Sequence, residues 1–243
     1  VQASDGTLSS SSDFTIGISH PNATAFVATD PVNSGLDSLF VYGTDGKDSI
    51  KVALVAGQYQ VTINKVVVGT FPPPTGGLYV YGAMGDDTID VGSTTTLNAF
   101  IDGGLGNDKI SGGLGNDVIL GRDGKDSLAG RGGKDVIIGG LGADSITADG
   151  TGATSLNEGN ILIGDSTDYD ADLAALAAIS AAWIGNNTAT VDTYLSSATV
   201  HGDGLTDTVK HTKLGIDWFY AFELNSKGGR LDKLSVGTGD IVK

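Results

Sequence analysis

Between Gly103 and Thr147 an aliphatic residue returns at every ninth position: Ile110, Ile119, Leu128, Ile137 and Ile146. A fixed period of this kind marks a repeat architecture. The stretch divides without a gap into five blocks, GGLGNDKIS, GGLGNDVIL, GRDGKDSLA, GRGGKDVII and GGLGADSIT. Glycine holds positions 1 and 4 throughout, aspartate holds position 6, and the aliphatic residue holds position 8. Each block predicts a tight glycine turn, then a three-residue strand over positions 7 to 9 with position 8 facing inward.

The pattern decays on both sides. Upstream, GAMGDDTID from Gly82 stays in phase at Gly85, Asp87 and Ile89, and GTDGKDSIK from Gly43 at Gly46, Asp48 and Ile50. The Gly43 block has no matching neighbour in sequence, so any role it shares with the other blocks reads as weak. Residues 91–102 read as a degenerate turn longer than nine. Val52–Val55 and Tyr59–Val68 predict a hairpin around Ala56-Gly57 that caps the N-terminal end. Phe71-Pro72-Pro73-Pro74 predicts a rigid crossover. Phe14, Ile16 and Ile18 alternate like a strand after a Ser9–Ser12 linker, as in an arm that pairs with a neighbour or the last strand of a preceding domain.

Downstream, Asn160 and Leu162 fit positions 6 and 8 of a sixth repeat, after an insertion near Ala148–Thr154. Residues 171–184 are alanine-rich and place Leu173, Leu176, Ile179 and Trp183 on one helical face. Ser166 or Thr167 is the expected cap, with acidic residues in the first turn. Asp207, Asp217 and Asp232 form a fainter ladder, each followed two residues later by Val209, Phe219 or Leu234.

Composition narrows the chemistry. Fourteen Lys and Arg face 29 Asp and Glu, a formal charge of −15. That surface repels nucleic acid and anionic lipid and attracts divalent cations. The absence of cysteine removes disulfides, thiolate metal sites and thiol nucleophiles. No stretch has the apolar length of a membrane span. The chain opens on Val1 without a signal-peptide pattern and reads as a mature piece or the tail of something larger. There is no H-E-x-x-H, G-x-S-x-G or Walker A motif, and His20, His201 and His211 stand apart, so the expectation is a protein that is not an enzyme.

These blocks resemble the RTX, or hemolysin-type, calcium-binding repeat, G-G-x-G-x-D-x-U-x. A lone Asp-Gly turn is ordinary solvated turn chemistry; five in register point to a metal. The resemblance implies a mainly β fold: a right-handed parallel β-roll, two nonapeptides per coil, with β-rich caps and one or two α-helices in the C-terminal cap. It implies several Ca²⁺ ions, each between one loop and the loop two repeats later. The first loop offers the carbonyls of positions 2 and 4 with its aspartate, and the later loop those of positions 1 and 3 with its own. The implied sets are Ala83, Gly85 and Asp87 with Gly103, Leu105 and Asp108; Gly104, Gly106 and Asp108 with Gly121, Asp123 and Asp126; Gly113, Gly115 and Asp117 with Gly130, Gly132 and Asp135; and Arg122, Gly124 and Asp126 with Gly139, Leu141 and Asp144. Arg122 and Arg131 depart from the family's second glycine. The tail, ending in Asp217-Trp218-Phe219-Tyr220, resembles the C-terminal regions of large bacterial surface proteins of the planctomycete type.

Alternate repeats build opposite sheets. The outward positions of one sheet are wettable: Lys109, Ser111, Ser127, Ala129, Ser145 and Thr147. On the other they are Val118, Leu120, Val136 and Ile138, continued by Ile161 and Ile163. An exposed apolar sheet of that size is unusual, so the 171–184 helix is expected to lie across it, the competing cover being a second subunit. The expected divisions are a linker or arm over 1–36, a hairpin cap with degenerate repeats over 37–101, the roll over 102–165 and a helical and β cap over 166–243. The expected role is a non-catalytic, secreted or cell-surface calcium-binding module, self-assembling as a homo-oligomer or filament through the arm or the apolar face. It would be exported unfolded through a type I-like route and would bind neither nucleic acid nor membrane. The alternatives are the secretion and folding tail of an exoenzyme, or an adhesin.

Overall fold

The computed structural model describes residues 22–148, 159–210, 217–220, 233–235 and 241–242. The expected strand at Phe14–Ile18, the sixth-repeat insertion beyond Ala148, Asp232, His20 and His211 lie outside the described residues.

The chain enters as β1 (Thr24–Thr29), returns antiparallel as β2 (Asp37–Tyr42) and crosses to β3 (Ser49–Val55). Two hairpins follow, through β4 (Gln58–Ile63) and β5 (Val66–Phe71). The turn residues Ala56, Gly57, Asn64 and Lys65 have φ of 50°, 80°, 52° and 69°, as tight two-residue hairpin turns require. The expected single strand over Tyr59–Val68 is therefore two strands. Asn64 supplies the left-handed turn that a glycine would have announced.

The proline run then carries the chain to β6 (Leu78–Met84), and nine-residue alternation begins: β7 (Thr88–Val91), β8 (Ala99–Leu105), β9 (Lys109–Ser111), β10 (Val118–Asp123), β11 (Ser127–Ala129), β12 (Val136–Leu141), β13 (Ser145–Thr147) and β14 (Ile161–Ile163). An excursion follows, made of β15 (Ser166–Thr167), α1 (Leu173–Ile184), α2 (Thr188–Tyr194) and β16 (Val200–His201), with β15 and β16 antiparallel. The alternation then resumes as β17 (Thr208–Lys210), β18 (Trp218–Tyr220), β19 (Lys233–Ser235) and β20 (Ile241–Val242).

Two sheets result, ordered β1-β2-β6-β8-β10-β12-β14-β18-β20 and β19-β17-β13-β11-β9-β7-β3-β4-β5. Pairing is parallel except at β1/β2 and β3/β4/β5, so antiparallel strands close the N-terminal end. The parallel ladders run past residues 102 and 165 in both directions. Position 8 stacks in register: Ile101, Ile119, Ile137, Leu162 and Phe219 on one side, and Ile89, Ile110, Leu128, Ile146 and Val209 on the other. All are buried in one core between the sheets. Each is worth about 1.5–3 kcal/mol in burial.

α1 lies across the apolar outer face. Leu176, Ile179 and Trp183 join Val118, Leu120, Val136, Ile138, Ile161 and Ile163 in a second buried cluster. The cover of this face is intramolecular. The cap differs from expectation: Asp172 accepts from the Ala175 amide at 3.0 Å, and the first turn carries no acidic residue. Ser166 and Thr167 are drawn into the β15–β16 pair, which delays the helix start. The same pair brings His201 Nε2 to 2.6 Å from Asp168 Oδ1 at the surface, so His201 is not isolated.

Candidate metal centre

The position-6 aspartates line up in two columns at the ends of the sheets. In the first, each backbone N–H donates to Oδ1 of the aspartate in the next coil: Asp48 to Asp87, Asp87 to Asp108, Asp108 to Asp126, Asp126 to Asp144, and Asp144 to Asp207, all at 2.7–2.8 Å. In the second, Ala99 donates to Asp117, Asp117 to Asp135, Asp135 to Asn160 and Asn160 to Asp217, at 2.8–2.9 Å. Each aspartate is thus a rung of the roll, a role that the sequence alone does not reveal. The columns also seat Asp207, Asp217 and Asn160 in the same geometry as the regular repeats.

One carboxylate oxygen does the rung's work. In the first column the other, Oδ2 of Asp87, Asp108, Asp126 and Asp144, is buried without a hydrogen-bond partner. Burial pushes these carboxyls up, to about 7 for Asp87, Asp126 and Asp144 and to about 6 for Asp108. A buried anionic oxygen with no donor is costly, and a cation is what offsets it.

The carbonyls converge on the same spaces. Those at positions 2 and 4 point forward along the column. A Cβ built on Gly104 would meet Ala83 O at 2.0 Å, one on Gly106 would meet Gly85 O at 2.2 Å, and one on Gly124 would meet Gly106 O at 1.8 Å. Carbonyls at positions 1 and 3 point back. A Cβ on Gly103 would meet Gly121 O at 2.9 Å, and Leu105, Asp123 and Leu141 accept from the amides of Gly85, Gly106 and Gly124 at 2.7–2.9 Å. The three first-column sets are therefore each brought together between consecutive coils. Arg122 takes φ +78° without a glycine there, and its guanidinium is held by Asp102, with NH2 at 2.6 Å.

The set built on Asp117 and Asp135 is assembled differently. Gly113 and Gly115 do not adopt the left-handed backbone of their first-column counterparts. Asp117 Oδ2 accepts from the Gly113 amide at 2.7 Å, and Gly113 O accepts from the Gly132 amide at 3.2 Å. Arg131, at φ +77°, reaches back to donate to Val91 O at 2.5 Å, Gly112 O at 2.9 Å and Asp90 Oδ1 at 2.7 Å. The preceding coil, TTTLNAFID from Thr94, explains this arrangement. It is in phase with Gly112–Leu120, since Ile101 pairs with Ile119, but it has alanine at position 6 and no glycine. That coil brings no carboxylate at position 6, and Arg131 is a protein cation that acts electrostatically on Asp117. Residues 91–102 are thus three spacer residues and an in-phase coil.

The Gly43 loop does have a neighbour: it lies against the Gly82 loop, because β4 and β5 extend the sheet outward from β3 and leave β3 to pair with β7. Its aspartate is served by protein donors. Asp48 accepts from the Thr44 amide, Thr44 Oγ1 and Asn64 Nδ2 at 2.5–2.8 Å. Among the described residues the first column ends there, at an aspartate held by side-chain and backbone donors.

Among the described residues no three His, Asp or Glu side chains converge as a metal cluster. The donor sets combine carbonyl oxygens with one or two carboxylates, a hard all-oxygen environment that suits Ca²⁺ better than a transition metal. With the partnerless Oδ2 atoms, the first-column residues fit calcium.

A family model described as the RTX calcium-binding nonapeptide repeat, in four copies, matches residues 93–128 and 120–150. No curated protein and no solved structure matches the chain. Residues 93–150 are RTX calcium-binding repeats, and they give the chain a calcium-binding structural module. The match takes in the Thr94 coil, although it has no glycine and has alanine in place of the position-6 aspartate. The two columns extend beyond the match at both ends.

Proposed function

We propose that the chain is a non-catalytic, extracellular module of a bacterial surface or matrix protein whose roll closes when calcium binds, with the first-column loops as its ligands. The observation that carries this reading is the row of buried, partnerless oxygens on Asp87, Asp108, Asp126 and Asp144. Bound calcium supplies positive charge to oxygens that are anionic or carbonyl and have lost water. The chain's own part is to stack the loops, aim the carbonyls into each gap and exclude solvent from the carboxylates. Without the ion, carboxylates in adjacent coils repel and the coils open. Calcium-poor cytosol then keeps the chain unfolded for export, and a calcium-rich exterior folds it. Among the described residues no helix is long and apolar enough to cross a membrane. Assembly into oligomers or filaments belongs to this reading through the N-terminal segment, since α1 already covers the apolar face.

Thermal unfolding tests the reading. Calcium should raise the midpoint progressively with concentration, as a ligand of the folded state does, and magnesium should not match it. Equal midpoints in calcium and in chelator would overturn it.

A further inference from the structure

One turn of the first column is split. After β14, Gly164 takes position 1, and its carbonyl accepts from the Gly140 amide at 3.2 Å. The chain then leaves the column at Asp165, makes the β15–α1–α2–β16 excursion and re-enters at Asp203 to reach Asp207. Asp203 N donates to Asp165 Oδ1 at 3.3 Å, which closes the gap.

The splice changes the donor set. In the three preceding coils the position-4 amide donates to a backbone carbonyl, of Leu105, Asp123 or Leu141. At the split turn the Gly142 amide donates instead to Asp203 Oδ2, at 2.6 Å. A carboxylate therefore stands where the other gaps present a neutral carbonyl. Asp165, fully buried, and Asp203 both act electrostatically on Asp144. Asp144 Oδ2 is itself buried and partnerless. It faces the same spot as the Gly164 carbonyl: a Cβ on Gly139 would lie 2.5 Å from the one and 2.1 Å from the other.

We propose that this split turn holds a divalent cation in a variant of the repeat site, with Asp203 as an added ligand beside Asp144 and the Gly164 carbonyl and with Asp165 and Asp207 adding charge, and that it is the tightest in the chain. The inference rests on the calcium reading above. Added anionic charge at an oxygen site tightens calcium. Because Asp165 and Asp203 flank the helical excursion, the ion also pins the base of that excursion to the roll.

Calorimetric titration of the full chain with calcium chloride tests this. The expected result is one tight class resolved from a weaker class. Asp203→Asn, which keeps an acceptor for Gly142, should weaken the tight class on the order of tenfold and leave the weaker class in place. Asp165→Asn should act in the same direction, and it reads the same class should Asp203→Asn not fold. A tight class unchanged in either folded variant, or a single class in the unaltered chain, would overturn the inference while leaving the calcium reading standing. No calcium uptake by the unaltered chain would overturn the calcium reading itself.

Discussion

The backbone N–H of Asp108 donates to Oδ1 of Asp126 at 2.7 Å, one coil further along the roll, while Oδ2 of Asp126 is buried with no donor. The two oxygens have separate tasks, and substitution separates them. Asp126→Asn keeps the rung but removes the buried charge. In chelator it should be at least as stable as the unaltered chain, by up to about 1 kcal/mol. In saturating calcium it should be less stable, by about 1.4 kcal/mol for each tenfold loss of affinity. Asp126→Ala loses the rung too and should be destabilised in both conditions. Urea unfolding with and without calcium reads all three comparisons.

Close approach between coils gives a second prediction. Gly124 has φ +153°, and a Cβ there would lie 1.8 Å from Gly106 O. Gly124→Ala should cost roughly 3 kcal/mol or prevent folding. Gly35→Ala, where a Cβ meets nothing within 4 Å, should be close to neutral. Chemical denaturation of the pair checks both.

The docked helix gives a third. The chain has two tryptophans, and their rings lie 5.0 Å apart between α1 and the sheet. Trp183 Nε1 donates to Gly159 O at 2.7 Å, and Lys134 Nζ sits 5.5 Å over its ring. Trp183→Ala should cost about 3–5 kcal/mol and uncover Val136, Ile138 and Ile161. The remaining emission, from Trp218, should shift to the red. An unshifted Trp218 spectrum with unchanged stability would contradict the docking.

Metal-free stability should fall as pH rises. The carboxyls of Asp87, Asp126 and Asp144, at about 7, and of Asp108, at about 6, lie above their ordinary value of 3.8, chiefly through burial. The folded chain therefore holds protons that the unfolded chain has released. This contribution is fully present below the unfolded value and is lost as pH rises through 6 to 7. In metal-free buffer the urea midpoint should be higher at about pH 5 than at about pH 8. Calcium should reverse the slope, because it competes with protons for the same oxygens.

The five blocks from Gly103 to Thr147 were legible because their glycine, aspartate and aliphatic positions repeat without a gap. The cover of Val118, Leu120, Val136 and Ile138 by α1 was legible too, as an apolar row that had to be buried. What was hidden depends on which coils touch. Asp48 sits beside Asp87 because β4 and β5 extend the sheet outward from β3 and leave β3 to pair with β7, so its neighbour is absent from the local sequence. The Thr94 coil lacks the glycines and the position-6 aspartate of its neighbours, and its phase shows where Ile101 pairs with Ile119. The split turn is separated by two helices, and nothing near Gly164 signals that Asp203 completes it. The rung function of Oδ1 requires the next coil to be in place, which no single repeat encodes.

On the proposed reading, calcium binding and closure of the roll are one event. Far-UV circular dichroism of the full chain, recorded in calcium, after chelation and after calcium is restored, tests it most directly. Strand signal should be present in calcium, be lost on chelation and return when calcium is added back. A strand spectrum that chelation leaves unchanged would contradict it.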